Sequence, residues 1–345
     1  MKAKIIGTGS YAPSTILTNK DLEQKLDTSD KWIVERTGVR ERRIAAKDEA
    51  TSDLACKAAQ MALTAAGASP SEVDIIVVAT TTPDMFFPST ACLVLHKLME
   101  WERGVMASRL PNGQTMLAGT RVPAAFDLSA ACSGFIYALS VGEQYILSGK
   151  YKKVLVIGAD LMSRIVNWTD RSTCVLFGDG AGAVLLAPAS GKQGILSTHI
   201  HSDGSLWDLI AVPGGGSADP PSERVLVEHL NTVKMKGTET FKAAVRTLEE
   251  AARETLSANG VSLSDVSYIV PHQANIRIIK AVAERLDIGM DKVVVNLSRY
   301  GNTSAASIPL ALDEAVRDGR IKENDLILLL AFGSGLTWGS ALIKW

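Results

Sequence analysis

The sequence carries no excess charge of either sign: 36 Lys and Arg stand against 37 Asp and Glu, a net charge of −1. That balance excludes a protein driven onto nucleic acid or another polyanion by whole-chain charge, while leaving room for a local basic patch. Long hydrophobic runs are missing too. Residues 75–78 and 326–332 are among the longest, far short of the ~20 that span a bilayer. The start, Met1-Lys2-Ala3-Lys4-Ile5-Ile6-Gly7, reads as the opening of a strand and lacks the apolar core of a secretory signal. Cysteine is sparse. Cys56, Cys92, Cys132 and Cys174 lie far apart with no CxxC or metal-finger spacing, so most are expected to be buried, inert thiols. These absences point to a soluble, cytoplasmic chain with no nucleic-acid or membrane partner.

What is present is ordinary globular composition, 46% hydrophobic and 6% aromatic, and a length of 345 residues allows about two domain-sized units. The short β-branched run at 73–79 and similar apolar runs at 153–158, 175–177, 183–186, 268–270, 293–295 and 326–331 read as buried strands. Between them, apolar residues at helical spacing predict helices over 52–66, 134–147, 238–258, 276–286 and 308–317. The alternation predicts an α/β protein with sheets covered on both faces. Residues 214–221 form the one clear flexible loop.

The chain also resembles itself. Residues 69–78 match 262–271 in pattern, Asp127-Leu128-Ser129 matches Asn296-Leu297-Ser298, and Ser148-Gly149-Lys150 matches Asp318-Gly319-Arg320. A repeat this long implies two similar halves, 1–190 and 191–345, although chance likeness between α/β segments is the competing reading. The first half is longer by an apparent insertion at about 100–121, where Pro111-Asn112-Gly113 suggests a hairpin tip.

Four segments could carry chemistry. Cys132 follows Phe126-Asp127-Leu128-Ser129-Ala130-Ala131, where a strand gives way to a helix. A helix N-terminus lowers a thiol pKa; a cysteine buried for packing is the bland alternative. His272 ends a strand at Val270-Pro271-His272-Gln273-Ala274-Asn275, where α/β folds place ligand sites, and could equally be a packing histidine. His96 is expected on a helix, His199 and His201 in a loop. Asn302, in Gly301-Asn302-Thr303-Ser304-Ala305-Ala306-Ser307, falls opposite Cys132 in the repeat, so related halves would turn both toward one site; a capped turn is the alternative. Finally, Phe332-Gly333-Ser334-Gly335-Leu336 is a glycine-rich turn able to offer backbone N–H groups to an oxyanion, with the Cys132 N–H as partner.

Together with Thr28-Ser29-Asp30-Lys31-Trp32-Ile33-Val34-Glu35-Arg36-Thr37-Gly38 and Phe177-Gly178-Asp179-Gly180, these segments resemble the β-ketoacyl-acyl carrier protein synthase III family of the thiolase superfamily. The resemblance spans nearly the whole chain except about 100–121. It implies a thiolase-like, five-layered αβαβα sandwich of two duplicated halves, acting as a homodimer. It also implies an acyltransferase that starts type II fatty acid synthesis by condensing a short acyl-CoA, first of all acetyl-CoA, with malonyl-acyl carrier protein. Cys132 would be the acylated nucleophile, His272 and Asn302 the donors that stabilise the enolate, and the N–H groups of Cys132 and Ser334 the oxyanion hole, with Phe332 beside them. Trp32, Arg36 and Arg171 would hold CoA, and Gly237 and Asn275 its pantetheine arm. Phe87 would reach the acyl pocket across the dimer. Arg277, Lys242, Lys280 and Arg285 would receive the carrier protein. CoA thioester is then a substrate, and no metal or redox cofactor is implied.

The sequence departs from the family pattern in places. Ser334 replaces the middle glycine of a Gly-Gly-Gly turn and would be strained at φ > 0. Leu336 replaces an aromatic residue, and Glu284 stands where a basic one is common. A related secondary-metabolism condensing enzyme or acyltransferase with another primer or acceptor is therefore the alternative. A thiolase proper would need a second catalytic cysteine, and a binding module would form no acyl-enzyme.

Overall fold

A computed structural model describes residues 1–109 and 122–345. Nine strands form two central sheets: β1 (Lys2–Tyr11), β2 (Ile75–Ala79), β3 (Ala124–Leu128), β4 (Val154–Leu161), β5 (Asp179–Ala189), β6 (Gly194–Ser202), β7 (Tyr268–Pro271), β8 (Leu326–Gly333) and β9 (Thr337–Lys344). The first sheet runs β1-β5-β4-β2-β3, the second β6-β9-β8-β7. In each, two antiparallel pairings are followed by parallel ones, and an isolated parallel bridge from Val293 to Ile269 takes the place beside β7 that β3 takes beside β2. The two sheets thus share one topology, the structural form of the sequence repeat.

Six helices complete the layers: α1 (Thr51–Ala66), α2 (Thr90–Arg109), α3 (Gly134–Leu147), α4 (Gly237–Ala258), α5 (Ile276–Arg285) and α6 (Ser307–Arg317). The strands explain why both sheet faces need cover. In β2, Ile75, Val77 and Ala79 point into the central core while Ile76 and Val78 point into the outer one. In β8, Ile327, Leu329 and Ala331 pack centrally, and Leu328, Leu330 and Phe332 pack outward. This is period-two alternation with apolar residues on both sides. Helices α3 and α6 fill the centre, where Phe135, Leu139, Ile308 and Leu312 are fully buried, each contributing about 1.5–3 kcal/mol. Helices α1 and α2 cover the first sheet, α4 and α5 the second. The result is the expected five-layered sandwich.

Several local expectations change. Residues 175–177 form a turn held to the second half by one bridge, Phe177 to Asn302, because the run is too short to extend a sheet. His199 and His201 lie in β6 rather than a loop. Cys92 is exposed on α2, not buried. The extra length of the first half begins as a longer helix: α2 has 20 residues where α5 has 10, and Glu102 within it is buried and bonded to Ser71. The expected hairpin at 111–113 lies outside the described residues.

Candidate active site

Cys132 sits in a short 3₁₀ turn, Ala131–Ser133, between β3 and α3. The turn begins with Ala131 in the left-handed region (φ +48). The second half repeats this device at Ser304–Ala306, just before α6, with Ser304 at φ +51. Superposing the two turns corrects the repeat reading. Ala305 is the counterpart of Cys132, and Asn302 lies upstream of that position, after a one-turn helix, Leu297–Tyr300, that separates the strand position from the turn. The two residues nevertheless reach the same place. Cys132, His272, Asn302, Phe332 and Ser334 all line one cavity of about 940 Å³.

Each is held by identifiable contacts. The His272 N–H donates to Leu330 O at 2.7 Å, fixing the end of β7 against β8. His272 is 4% exposed, and its Nδ1 is buried with no partner among the described residues. Burial pulls the imidazole down to about 3, so the ring is neutral. Asn302 accepts at Oδ1 from the Ser304 N–H (2.9 Å). A backbone N–H can only donate, so this contact fixes the carboxamide and leaves Nδ2 as its free donor. Gln273 ties the two segments together. Its Nε2 donates to Pro271 O and Val294 O, and its Oε1 accepts from the N–H groups of Asn296 and Leu297.

The glycine-rich turn packs directly on the cysteine turn. A Cβ at Gly333 would lie 2.8 Å from Cys132 N. Ser133 Oγ donates to Thr337 O, and Thr337 Oγ1 donates to Ala130 O and Ser334 O. Positive φ in this turn falls on Gly335 (φ +133), not on Ser334, so serine is accommodated without strain. Its hydroxyl donates to Ile210 O, which ties the turn to the cavity wall.

The expected thiol shift is reversed. Burial pushes the Cys132 thiol up to about 12; a hydrogen bond from the Ser304 side chain offsets part of this, and the charge of Asp160 adds to it. Desolvation of the thiol between the two turns outweighs a helix-end dipole effect of about 1 kcal/mol.

Trp32, Arg36, Gly237 and Asn275 line the same cavity. Arg171 and Arg36 lie over the Trp32 ring, at 5.0 and 5.7 Å from its centroid, although Arg171 itself is anchored to Asp27. Asn275 has structural duties as well. It caps α5 through the Arg277 N–H (2.8 Å) and donates to Arg36 O (3.0 Å). Lys242 and Arg277 line the cavity and are exposed. Lys280 and Arg285 lie off it, and Arg285 is engaged by Glu249 at 3.0 Å. Phe87 is 84% exposed and also lies off it. Thr81 and Ser304, which sequence reasoning did not single out, are part of the lining.

Two family models match the chain: 3-oxoacyl-[acyl-carrier-protein (ACP)] synthase III over residues 126–204, and its C-terminal counterpart over residues 256–345. The first span holds Cys132, the second His272, Asn302 and Ser334. A β-ketoacyl-[acyl-carrier-protein] synthase III from Alkalilimnicola ehrlichii is 52% identical over 343 residues, covering 99% of each chain. The chain belongs to this synthase III family. It is an enzyme, a condensing acyltransferase. Among solved structures, the family member from Aquifex aeolicus VF5 aligns with a TM-score of 0.87 at 49% identity over 99% of this chain and 100% of that one. The priming β-ketosynthase of the R1128 polyketide biosynthetic pathway aligns with 0.86 at 33% identity, covering 99% and 96%.

Proposed function

We propose that the chain starts fatty acid synthesis by joining a short acyl-CoA, acetyl-CoA first, to malonyl-acyl carrier protein with loss of CO2. In the first half-reaction the Cys132 sulfur attacks the acyl-CoA carbonyl, its proton leaves with the CoA sulfur, and the N–H groups of Cys132 and Ser334 hold the oxyanion. In the second, the malonyl carboxylate leaves as CO2 and its bonding electrons form an enolate. His272 Nε2 and Asn302 Nδ2 donate to the enolate oxygen, beside Phe332. The enolate carbon attacks the Cys132 thioester, and the sulfur is released and regains a proton. The reaction balances without a metal or redox cofactor. Trp32, Arg36 and Arg171 would hold the CoA nucleotide, Gly237 and Asn275 its arm, and Lys242 and Arg277, with Lys280 and Arg285, the acidic carrier. A cytoplasmic homodimer of two-half protomers, 1–190 and 191–345, with Phe87 contributed across the interface, completes the reading.

The observation that carries it is the convergence of Cys132, His272 and Asn302 on one cavity that Trp32 and Arg36 also line. The test separates the half-reactions. Cys132→Ala should abolish labelling by radiolabelled acetyl-CoA, whereas His272→Ala and Asn302→Ala should keep it and lose CO2 release from malonyl-acyl carrier protein. Labelling of Cys132→Ala, or equal loss of both half-reactions in the other two, sinks the assignment. The likeness to a priming ketosynthase of a polyketide pathway favours a second reading, a related secondary-metabolism condensing enzyme or acyltransferase with another primer or acceptor. A panel of acyl-CoA primers decides between them.

A further inference from the structure

Asp160, at the end of β4, is fully buried and takes part in no ion pair among the described residues. Its Oδ1 accepts from Thr80 Oγ1, from the N–H and Oγ1 of Thr81, and from the N–H and Oγ1 of Thr82, at 2.7–3.2 Å. Its Oδ2 accepts from the Ala305 N–H at 3.0 Å. Each of these partners is a donor, and they come from both halves of the chain. A buried carboxylate with this many donors is costly to build and costly to break.

Its place explains the expense. Ala305 follows Ser304, the left-handed residue whose own N–H fixes the Asn302 carboxamide. The same strand presses on Ala305 from Gly158, where a Cβ would meet Ala305 O at 2.2 Å. Thus β4 grips the Ala305 amide through Asp160 and lies against its carbonyl at Gly158. On the other side, Thr81 lines the cavity that holds Cys132. A strained turn persists only where its surroundings over-determine it, and Asp160 supplies that constraint.

We propose that Asp160 is a positioning residue for the decarboxylation half-reaction: it holds the Ser304–Ala305 turn, and through it the Asn302 carboxamide, so that Nδ2 faces the malonyl thioester. The proposal rests on the role given above to Asn302. Asp160→Asn keeps the shape but sets an NH2 group against donors, so the turn relaxes. Thr80→Val, outside the cavity lining, removes one hydroxyl donor to Oδ1 together with the acceptor of one of the two bonds made by the Thr82 N–H, whose other bond to Oδ1 remains, and serves as the milder variant. Both are compared with Asn302→Ala in two assays, single-turnover acylation by radiolabelled acetyl-CoA and CO2 release from radiolabelled malonyl-acyl carrier protein. For Asp160→Asn, kcat for CO2 release should fall about 10- to 100-fold, with KM for the carrier substrate within about threefold of wild type and the acylation rate unchanged or raised, since the Asp160 charge adds to the upward shift of the Cys132 thiol. Thr80→Val should fall about threefold in the same step only. Wild-type CO2 release in Asp160→Asn, or equal loss of acylation, overturns the proposal. If Asp160→Asn does not fold, wild-type release in Thr80→Val overturns it. Full CO2 release in Asn302→Ala overturns the Asn302 reading and this proposal together. Loss in Asn302→Ala without loss in Asp160→Asn overturns this proposal alone.

Discussion

Replacing Gly333 by alanine tests how closely the glycine-rich turn must approach the nucleophile. The added methyl would lie 2.8 Å from Cys132 N, 2.9 Å from Ser133 N and 3.2 Å from Cys132 Cα. All three are backbone atoms, so no side chain can swing aside. Restoring ordinary contact at about 3.4 Å requires the two turns to part by about half an ångström. Overpacking of this kind costs about 1–3 kcal/mol of stability. The larger effect falls on chemistry: in the proposed oxyanion hole, the N–H groups of Cys132 and Ser334 would no longer be set for one oxygen. Losing a single oxyanion donor costs about 2.7–4 kcal/mol, or 10²–10³ in rate. Gly333→Ala should therefore fold, with a lowered melting temperature, and form acyl-Cys132 about 10²-fold more slowly in single-turnover labelling with acetyl-CoA. Acylation at the wild-type rate in a folded variant would refute the idea that these two turns build the oxyanion hole.

Other consequences are as direct. The Cys132 thiol, pushed up to about 12 by burial, should alkylate with iodoacetamide at a rate rising about tenfold per pH unit from pH 7 to 10; a plateau near pH 8 would show a preformed thiolate. His272, held down to about 3 by burial, stays neutral in the native state while the unfolded chain binds a proton below about pH 6.5. Its contribution to stability is therefore constant above pH 7 and shrinks as pH falls toward 3, by at most about 3 kcal/mol at pH 4. Denaturant titrations at pH 7, 5.5 and 4 should show a smaller acid loss in His272→Asn than in wild type, and parallel losses would contradict the burial argument. Trp32→Ala should raise KM for acetyl-CoA about tenfold with kcat within about twofold, because base stacking is worth about 1–3 kcal/mol; an unchanged KM would remove the ring from the CoA site.

Much of this was legible in the sequence where the cause is local. The apolar runs at 75–79 and 326–331 became strands because alternate side chains meet a different core on each face. Cys132 and His272 announced themselves by standing where strands end. What was not legible depends on contacts between distant segments. Whether Ser334 would be strained turned on which residue of its turn took positive φ, and that is Gly335. The direction of the Cys132 shift depended on enclosure by residues 130–133 and 333–337 together. Asp160 sat in plain view at the end of an apolar strand, Val154–Leu161, yet its donors come from residues 80–82 and 305. The placement of Asn302 failed by a few positions because the helix Leu297–Tyr300 interrupts the repeat, and spacing alone does not reveal where an insertion falls.

The shifts at Cys132 and His272 run in opposite directions for one reason, burial, and together they define the resting site. A thiolate–imidazolium pair requires the thiol to be the stronger acid of the two. Here the thiol is pushed up to about 12 and the imidazole down to about 3, so the proton stays on sulfur and both groups are neutral. That arrangement suits the second half-reaction better than the first. A cationic His272 would stabilise the malonyl carboxylate as well as the enolate, and binding ground state and transition state alike accelerates nothing. A neutral N–H donor in an apolar cavity favours loss of the charged carboxylate as neutral CO2 and meets the charge only where it reappears, on the enolate oxygen. The cost falls on acylation, where the sulfur must shed its proton as it attacks. In the proposed mechanism, the N–H groups of Cys132 and Ser334 are the groups that offset it. By this logic the neutral site suits decarboxylation, and in the proposed oxyanion hole the glycine-rich turn offsets the acylation cost of desolvating the thiol.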